Sequence, residues 1–148
     1  MKISKIAIGS DHAGYELKEQ LKSWLTGQGY TINDCGTFST DPVDYPDFIH
    51  PVAQSVEDLA VDFGIVICGS GNGAAITANK HSEIRAALCW NVEIARFAKE
   101  HNDANIISLP SRYITVDLAK DIVTAFMSAT FEGGRHATRI KKIPYKCC

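Results

Sequence analysis

Residues 63–73 read Phe-Gly-Ile-Val-Ile-Cys-Gly-Ser-Gly-Asn-Gly. Phe63 to Cys68 is apolar without alternation, the pattern of a strand buried on both faces and hence of the middle of a parallel sheet. The run stops at a cysteine, and glycines follow at 69, 71 and 73. Ala74 to Lys80 then predicts a short helix. A buried strand, a glycine turn and a helix are the first half of a βαβ unit, so the flanking sequence should supply more strand–helix repeats.

It does so on both sides. Towards the N-terminus, Ile3 to Ile8 is a β-branched strand, followed by a helix with Leu17, Leu21, Trp24 and Leu25 on one face, stopped by Gly27 and Gly29. Tyr30 to Asp34 alternates as a second strand. After a polar loop, Pro46 and Asp47 open a helix with Ile49, Val52, Val56 and Leu59 facing inward. Towards the C-terminus, Ile84–Trp90 is a fourth strand, Val92–Glu100 a helix and Asn105–Leu109 a fifth strand. A last long helix runs over Thr115–Thr130, with Leu118, Ile122, Ala125, Phe126 and Ala129 on one side. Gly133 and Gly134 break the pattern, and a basic tail follows from about 133. The reading is one α/β domain over 1–148: a three-layer α/β/α sandwich on a five-stranded parallel sheet, Rossmann-like, with right-handed crossovers.

The bulk properties narrow the function. A chain of 148 residues with 45% hydrophobic and 22% charged residues is an ordinary globular domain. A formal net charge of −2 argues against a general nucleic-acid or membrane surface, which needs a basic excess. No apolar run approaches the ~20 residues of a membrane span, and Met-Lys-Ile-Ser-Lys-Ile-Ala-Ile-Gly is not a signal peptide. Five cysteines, none in Cys-x-x-Cys spacing, point to a reduced cytoplasmic protein. Cys147 and Cys148 read as a frayed end.

In a sheet of this type ligands bind beyond the carboxyl ends of the strands. Gly9-Ser-Asp-His-Ala-Gly14 lies there, after the first strand. Its Asp11 and His12 could contact a substrate, or Ser10 and Asp11 could be helix caps. Gly69-Ser-Gly-Asn-Gly-Ala74 fits the dinucleotide pattern Gly-x-Gly-x-x-Gly/Ala, but the next strand ends at Trp90-Asn91, without the acid that would hold a ribose. No Gly-Lys-Ser/Thr follows, and the arginine of a cysteine phosphatase loop is absent, its position being Ala74. What is left is a nest of backbone donors suited to a phosphate or a developing oxyanion. Cys68 opens it, either as a thiolate base or as a packed structural thiol. Cys89 reads as the latter. His101-Asn102 is a functional pair or a helix C-cap. Arg135 and Arg139, at i and i+4, present two guanidinium groups suited to a phosphate dianion, or a solvated basic face; Arg112 could join them. The five histidines do not fall in metal-ligand spacing, and Asp44 and Asp47 read as loop and cap residues, so no metal is expected.

Taken together, the ordered stretches Ser-Asp-His-Ala-Gly at 10–14, Asp-Tyr-Pro-Asp at 44–47, Cys-Gly-Ser-Gly-Asn-Gly at 68–73, Ala-Asn-Lys at 78–80, Ile-Arg-Ala-Ala-Leu-Cys at 84–89, His-Asn-Asp-Ala-Asn at 101–105 and Gly-Gly-Arg-His with Arg139 at 133–139 resemble type B ribose-5-phosphate isomerase. That family also holds galactose-6-phosphate and allose-6-phosphate isomerases. The resemblance implies a cofactor-free aldose–ketose isomerase interconverting ribose 5-phosphate and ribulose 5-phosphate through an enediolate, as in the pentose phosphate pathway. It makes Cys68 the base between C2 and C1 and His101 the group that assists ring opening. It makes Asp11, His12, Gly69, Ser70, Gly71, Asn72, Gly73, Asn102, Arg135 and Arg139 substrate contacts, with Tyr45 and Arg112 as additional candidates. It also implies a homodimer, or a dimer of dimers, whose active sites are shared, with His101 and the arginines coming from the partner. Some relatives replace the cysteine by a later glutamate; here Cys68 is present and Ala74-Ala75-Ile76 offers no acid. Asn72 stands where many relatives carry an apolar residue. The rival readings are the same chemistry on a six-carbon sugar phosphate and a non-catalytic nucleotide- or phosphosugar-binding domain.

Overall fold

The computed structural model describes residues 2–146 as one parallel sheet between two layers of helices. The elements are β1 (Lys5–Ser10), α1 (Tyr15–Gly27), β2 (Thr31–Asp34), α2 (Pro46–Glu57), β3 (Phe63–Cys68), α3 (Asn72–Ala78), β4 (Ala86–Leu88), α4 (Val92–Glu100), β5 (Ile106–Pro110), α5 (Val116–Ser128) and α6 (Arg135–Ile140). The strands lie in the order β2-β1-β3-β5-β4, each parallel to its neighbours. The Rossmann-like sandwich expected from the sequence is therefore the observed fold.

The unbroken apolar run explains its own place. Every residue of β3 is buried, because β1 and β5 flank it and helices cover both faces. Phe63, Ile65 and Ile67 face a core made with Leu21 and Leu25 of α1, Ala95 of α4 and Ile122 and Phe126 of α5. Val66 and Cys68 face the opposite core, with Ile49, Val52 and Val56 of α2 and Ala74 and Ala78 of α3. The chain leaves β1 towards β2 and leaves β3 towards β4, in opposite directions along the sheet. The carboxyl ends of β1 and β3 thus open the crevice in which doubly wound folds hold ligands.

Two expectations are corrected. Leu59 is 88% exposed rather than inward, because α2 ends at Glu57, Asp58 caps it and Leu59 itself turns at φ 57°. Val61 takes the buried place instead. The fourth strand, expected over Ile84–Trp90, spans only Ala86–Leu88. It is an edge strand, and the Asn79 side chain bonds both the N–H (2.8 Å) and the carbonyl (2.9 Å) of Ala86 in place of a further strand. Trp90 lies beyond it, half exposed. Among the described residues no helix is long and apolar enough to cross a membrane. Cys147 and Cys148 lie outside the described residues.

Candidate active site

At the carboxyl end of β3 the chain must leave a fully buried strand without losing its carbonyls, and β5 provides the partners. The Ser111 N–H (3.0 Å) and hydroxyl (3.1 Å) both donate to the Cys68 carbonyl, and the Arg112 N–H donates to that of Gly69 (3.0 Å). The buried Ser108 hydroxyl donates to the Gly71 carbonyl (2.7 Å). The carbonyls of Cys68, Gly69 and Gly71 are thereby taken, while the N–H groups of Gly69, Ser70, Gly71 and Gly73 have no hydrogen-bond partner among the described residues. The Asn72 N–H is taken by Ser70 Oγ (3.3 Å). Such a strip of free donors favours negative charge.

The three glycines answer to three different neighbours. Gly71 sits at φ 75°, a left-handed conformation, and a Cβ there would collide with Leu88. A Cβ on Gly69 would meet Arg112 Nη1 at 3.0 Å, so the guanidinium lies over this backbone. A Cβ on Gly73 would run into the Tyr45 ring. The space that side chains would fill at Gly69 and Gly73 is occupied instead by Arg112 and Tyr45.

Cys68, Gly69, Ser70 and Gly73 line a cleft of about 360 Å³ together with Asp11, Tyr45, Arg112 and Tyr113. The side chain of Asp11 accepts from the Gly14 N–H (3.1 Å), so it closes the turn leading into α1 as well as lining the cleft; the N-cap itself is Gly14, without a side-chain cap bond. His12 is oriented by the Val43 N–H, which donates to its Nδ1 (3.1 Å). The loop after β2 that carries Val43 and Tyr45 is held by a charged cluster. Lys18, fully buried, donates to both Asp34 oxygens (2.8 Å each) and to Glu19 (2.7 Å), and Lys22 bonds the same two acids. Burial alone would raise the Asp34 pKa, but the bonds from Lys18, Lys22 and the Gly36 N–H outweigh it and hold the carboxyl below its usual range. Of the other thiols, burial pushes Cys89 up to about 12, and burial next to Asp34 raises Cys35, so neither is a ready base.

His101, Asn102, Arg135 and Arg139 are not in this cleft. His101 caps the C-terminus of α4, at the amino end of β5, whereas Cys68 pairs with Pro110 at its carboxyl end. Four residues of strand separate the two levels, about 13 Å at ~3.3 Å per residue. Arg135 and Arg139 lie on α6 beside His101. The sequence-predicted residues thus fall into two groups on one chain: Asp11, His12, Tyr45, residues 68–73 and Arg112 at one end of the sheet, and the His101 group at the other.

The second group contains residues that the sequence did not mark. His101 is sandwiched between Phe97 (ring centroids 4.6 Å apart, 13° between planes) and His136 (4.3 Å, 10°). Glu132 Oε2 lies 3.5 Å from His136 Nε2 and 3.9 Å from His101 Nε2. These three side chains have the composition of a metal site, with ligand atoms within 4.8 Å of one another. The two imidazoles, however, are nearly parallel, so their lone pairs do not converge on one ion.

Taken as a class, this is a Rossmann-like α/β enzyme with a thiol and a row of backbone donors at the switch point of its sheet. The sequence signature described as Ribose/Galactose Isomerase matches residues 6–143, and the chain belongs to that family of aldose–ketose isomerases. It is 51% identical to a ribose 5-phosphate isomerase of Thermotoga maritima, whose crystal structure superposes with a TM-score of 0.93 over 95% of this chain and 97% of that one. It is 42% identical to ribose-5-phosphate isomerase B of Escherichia coli over 95% of each chain. It is also 40% identical to the D-erythrulose-4-phosphate isomerase of Pectobacterium atrosepticum, over 95% of this chain and 93% of that one. The chain is an isomerase of the type B ribose-5-phosphate kind.

Proposed function

We propose that the chain interconverts D-ribose 5-phosphate and D-ribulose 5-phosphate through a cis-enediolate, as a cytoplasmic step of pentose phosphate metabolism. The observation that carries this reading is Cys68, at the edge of a cleft whose adjoining turn has the Cys68, Gly69 and Gly71 carbonyls bonded and the N–H groups of Gly69, Ser70, Gly71 and Gly73 free. A base for a C–H beside a carbonyl and donors for the oxygen that becomes negative are the two requirements of enolisation. In this reading the Cys68 thiolate moves the proton between C2 and C1, and the free N–H groups of Gly69, Ser70, Gly71 and Gly73 hold the enediolate oxygens. Asp11 and His12 bind sugar hydroxyls, with Tyr45 and Arg112 lining the pocket.

His101 assists opening of the furanose ring, and Asn102, Arg135 and Arg139 bind hydroxyls and phosphate. The separation of these residues from Cys68 on one chain supports a homodimer in which each cleft is completed by the partner subunit. Phosphate binding remote from the reacting carbons then helps to align C1 and C2. No step calls for a metal or a cofactor.

The test is conversion of ribose 5-phosphate by the purified protein in EDTA, with Cys68→Ala alongside. Loss of an acid–base group costs about 10²–10⁴-fold, so a variant retaining more than a tenth of parental turnover would refute the base assignment. Because a relative named for a four-carbon substrate is 40% identical, and the family description includes galactose, substrate length needs its own measurement. The expected order of kcat/KM places ribose 5-phosphate above erythrulose 4-phosphate and allose 6-phosphate.

A further inference from the structure

α6 is six residues long and lies on an otherwise exposed basic tail, yet it buries one side chain, and that side chain is polar. His136 is 7% exposed, and its Nε2 is buried without a hydrogen-bond partner among the described residues. An apolar residue would anchor the helix here without leaving a polar atom unsatisfied. The local chain is built to bring this ring onto His101. The Glu132 N–H donates to the Glu100 carbonyl at the end of α4 (3.0 Å), which ties the segment to the residue next to His101. Gly133 and Gly134 then turn at φ 69° and 58°, and the His136 N–H closes the turn onto the Gly133 carbonyl (3.1 Å).

We infer that His136 is a positioning residue for His101, its imidazole fixing the plane of the His101 ring from the side opposite Phe97. The inference rests on the ring-opening role proposed for His101 above. A ring with a free face can rotate about its last side-chain bond. A ring held between two flat faces, at 4.6 and 4.3 Å and within 13° and 10° of parallel, keeps its nitrogens in one plane. Burial, with Arg135 and His101 close by, depresses the His136 pKa, so it presents an uncharged π face to His101. The whole cluster belongs to one chain, so it acts whichever subunit supplies Cys68.

Ring opening and enolisation can be measured separately. Ribulose 5-phosphate carries its phosphate on the hydroxyl that would close a five-membered ring, so it reaches the base in open-chain form. Exchange of its C1 hydrogen with deuterium from D₂O therefore reports enolisation alone, whereas turnover of ribose 5-phosphate requires the ring to open first. His136→Ala should lower kcat for ribose 5-phosphate by about tenfold or more, the scale expected when a catalytic group loses its alignment. The C1 exchange should stay within about threefold of parent. His136→Phe restores a flat face and should bring kcat back to within about threefold of parent, on the same logic of restored geometry. Full turnover by His136→Ala, equal loss of turnover and exchange, or failure of phenylalanine to rescue would each overturn the inference. His101→Ala separates the two levels of the argument. If that variant still turns over ribose 5-phosphate, the ring-opening role itself fails; if it does not while His136→Ala does, only the positioning role fails.

Discussion

Lys18 is the largest charged group that the fold removes from water, and its environment sets up an asymmetric prediction. Its side chain is fully buried, its ammonium bonded to both oxygens of Asp34 and to Glu19, with the Tyr15 and Phe38 rings 5.5 and 5.4 Å away. Asp34→Asn keeps the shape but removes the charge that two of these bonds depend on. Breaking a buried pair from one side costs about 3–5 kcal/mol, because the remaining ion is stranded. Glu19 is still in contact but 35% exposed, and it also serves Lys22, so the lower end, about 3 kcal/mol, is expected. At about 2–4 °C per kcal/mol for a chain of this size, that lowers Tm by about 6–12 °C. Lys18→Met removes the buried ion and leaves Asp34 bonded to Lys22, so it should cost less than Asp34→Asn. Urea titrations of the parent and the two variants, with unchanged m, measure both numbers. A loss below about 1 kcal/mol in Asp34→Asn, or a larger loss in Lys18→Met, would refute the claim that desolvation of the ammonium dominates this cluster.

Gly71→Ala should lower kcat at least about tenfold, because the new methyl meets Leu88 and φ 75° is unfavourable, displacing the donor turn; unchanged kinetics would show that the turn tolerates movement. Mixing inactive Cys68→Ala and His101→Ala proteins under conditions of subunit exchange should regain activity, since hybrids hold one intact cleft; no recovery would refute a shared site. Asp34 and Asp62 both have pKa values lowered in the folded chain, Asp34 by the ammonium bonds that outweigh its burial and Asp62 by the N–H groups of Lys5 and Ser4. A lowered folded value means stability that is present above the unfolded pKa near 3.8 and lost as pH falls through the folded value. Asp62→Asn should therefore flatten the acid limb of a Tm–pH curve below about pH 4, and an unchanged limb would contradict the assignment.

What the sequence disclosed and what it hid divide along physical lines. β3 was legible because burial on both faces leaves no alternation to misread, and α2 because Ile49, Val52 and Val56 carry its period. Leu59 continued that period on paper, but the helix ended at Glu57, and periodicity does not specify where a helix stops. The short β4 had the same origin: strand propensity ran on to Trp90, while Asn91 already caps α4 just beyond it. At the site, the residues that touch the cleft were visible because glycines, a thiol and a histidine at strand ends are unusual. The residues that hold them were not. Ser108 and Ser111 look like any serine in a strand and a turn, and only the fold puts their hydroxyls on the carbonyls of Gly71, Ala13 and Cys68. Lys18 lies at the edge of the α1 apolar stripe and would pass for a solvated residue, since the loop bearing Phe38 that covers it is distant in sequence.

The distribution of the candidate residues carries an argument of its own. A parallel sheet is a rigid spacer: its strand ends cannot approach one another without breaking the ladder, and β3 and β5 are paired from Gly64–Ile106 to Cys68–Pro110. The thiol and free donors at one end, and the stacked histidines and arginines at the other, therefore cannot meet on one substrate within one chain. Each half is nevertheless fully prepared. Ser108 and Ser111 hold the donor turn, the Lys18–Asp34 cluster supports the loop that orients His12, and Phe97 and His136 clamp His101. Rigid halves that face opposite ways are suited to completion by a second copy of the same chain, because a two-fold axis can bring opposite ends of two identical sheets together. Catalytic geometry would then depend on the subunit interface, and dilution below the dimer's dissociation constant would abolish turnover while leaving each chain folded.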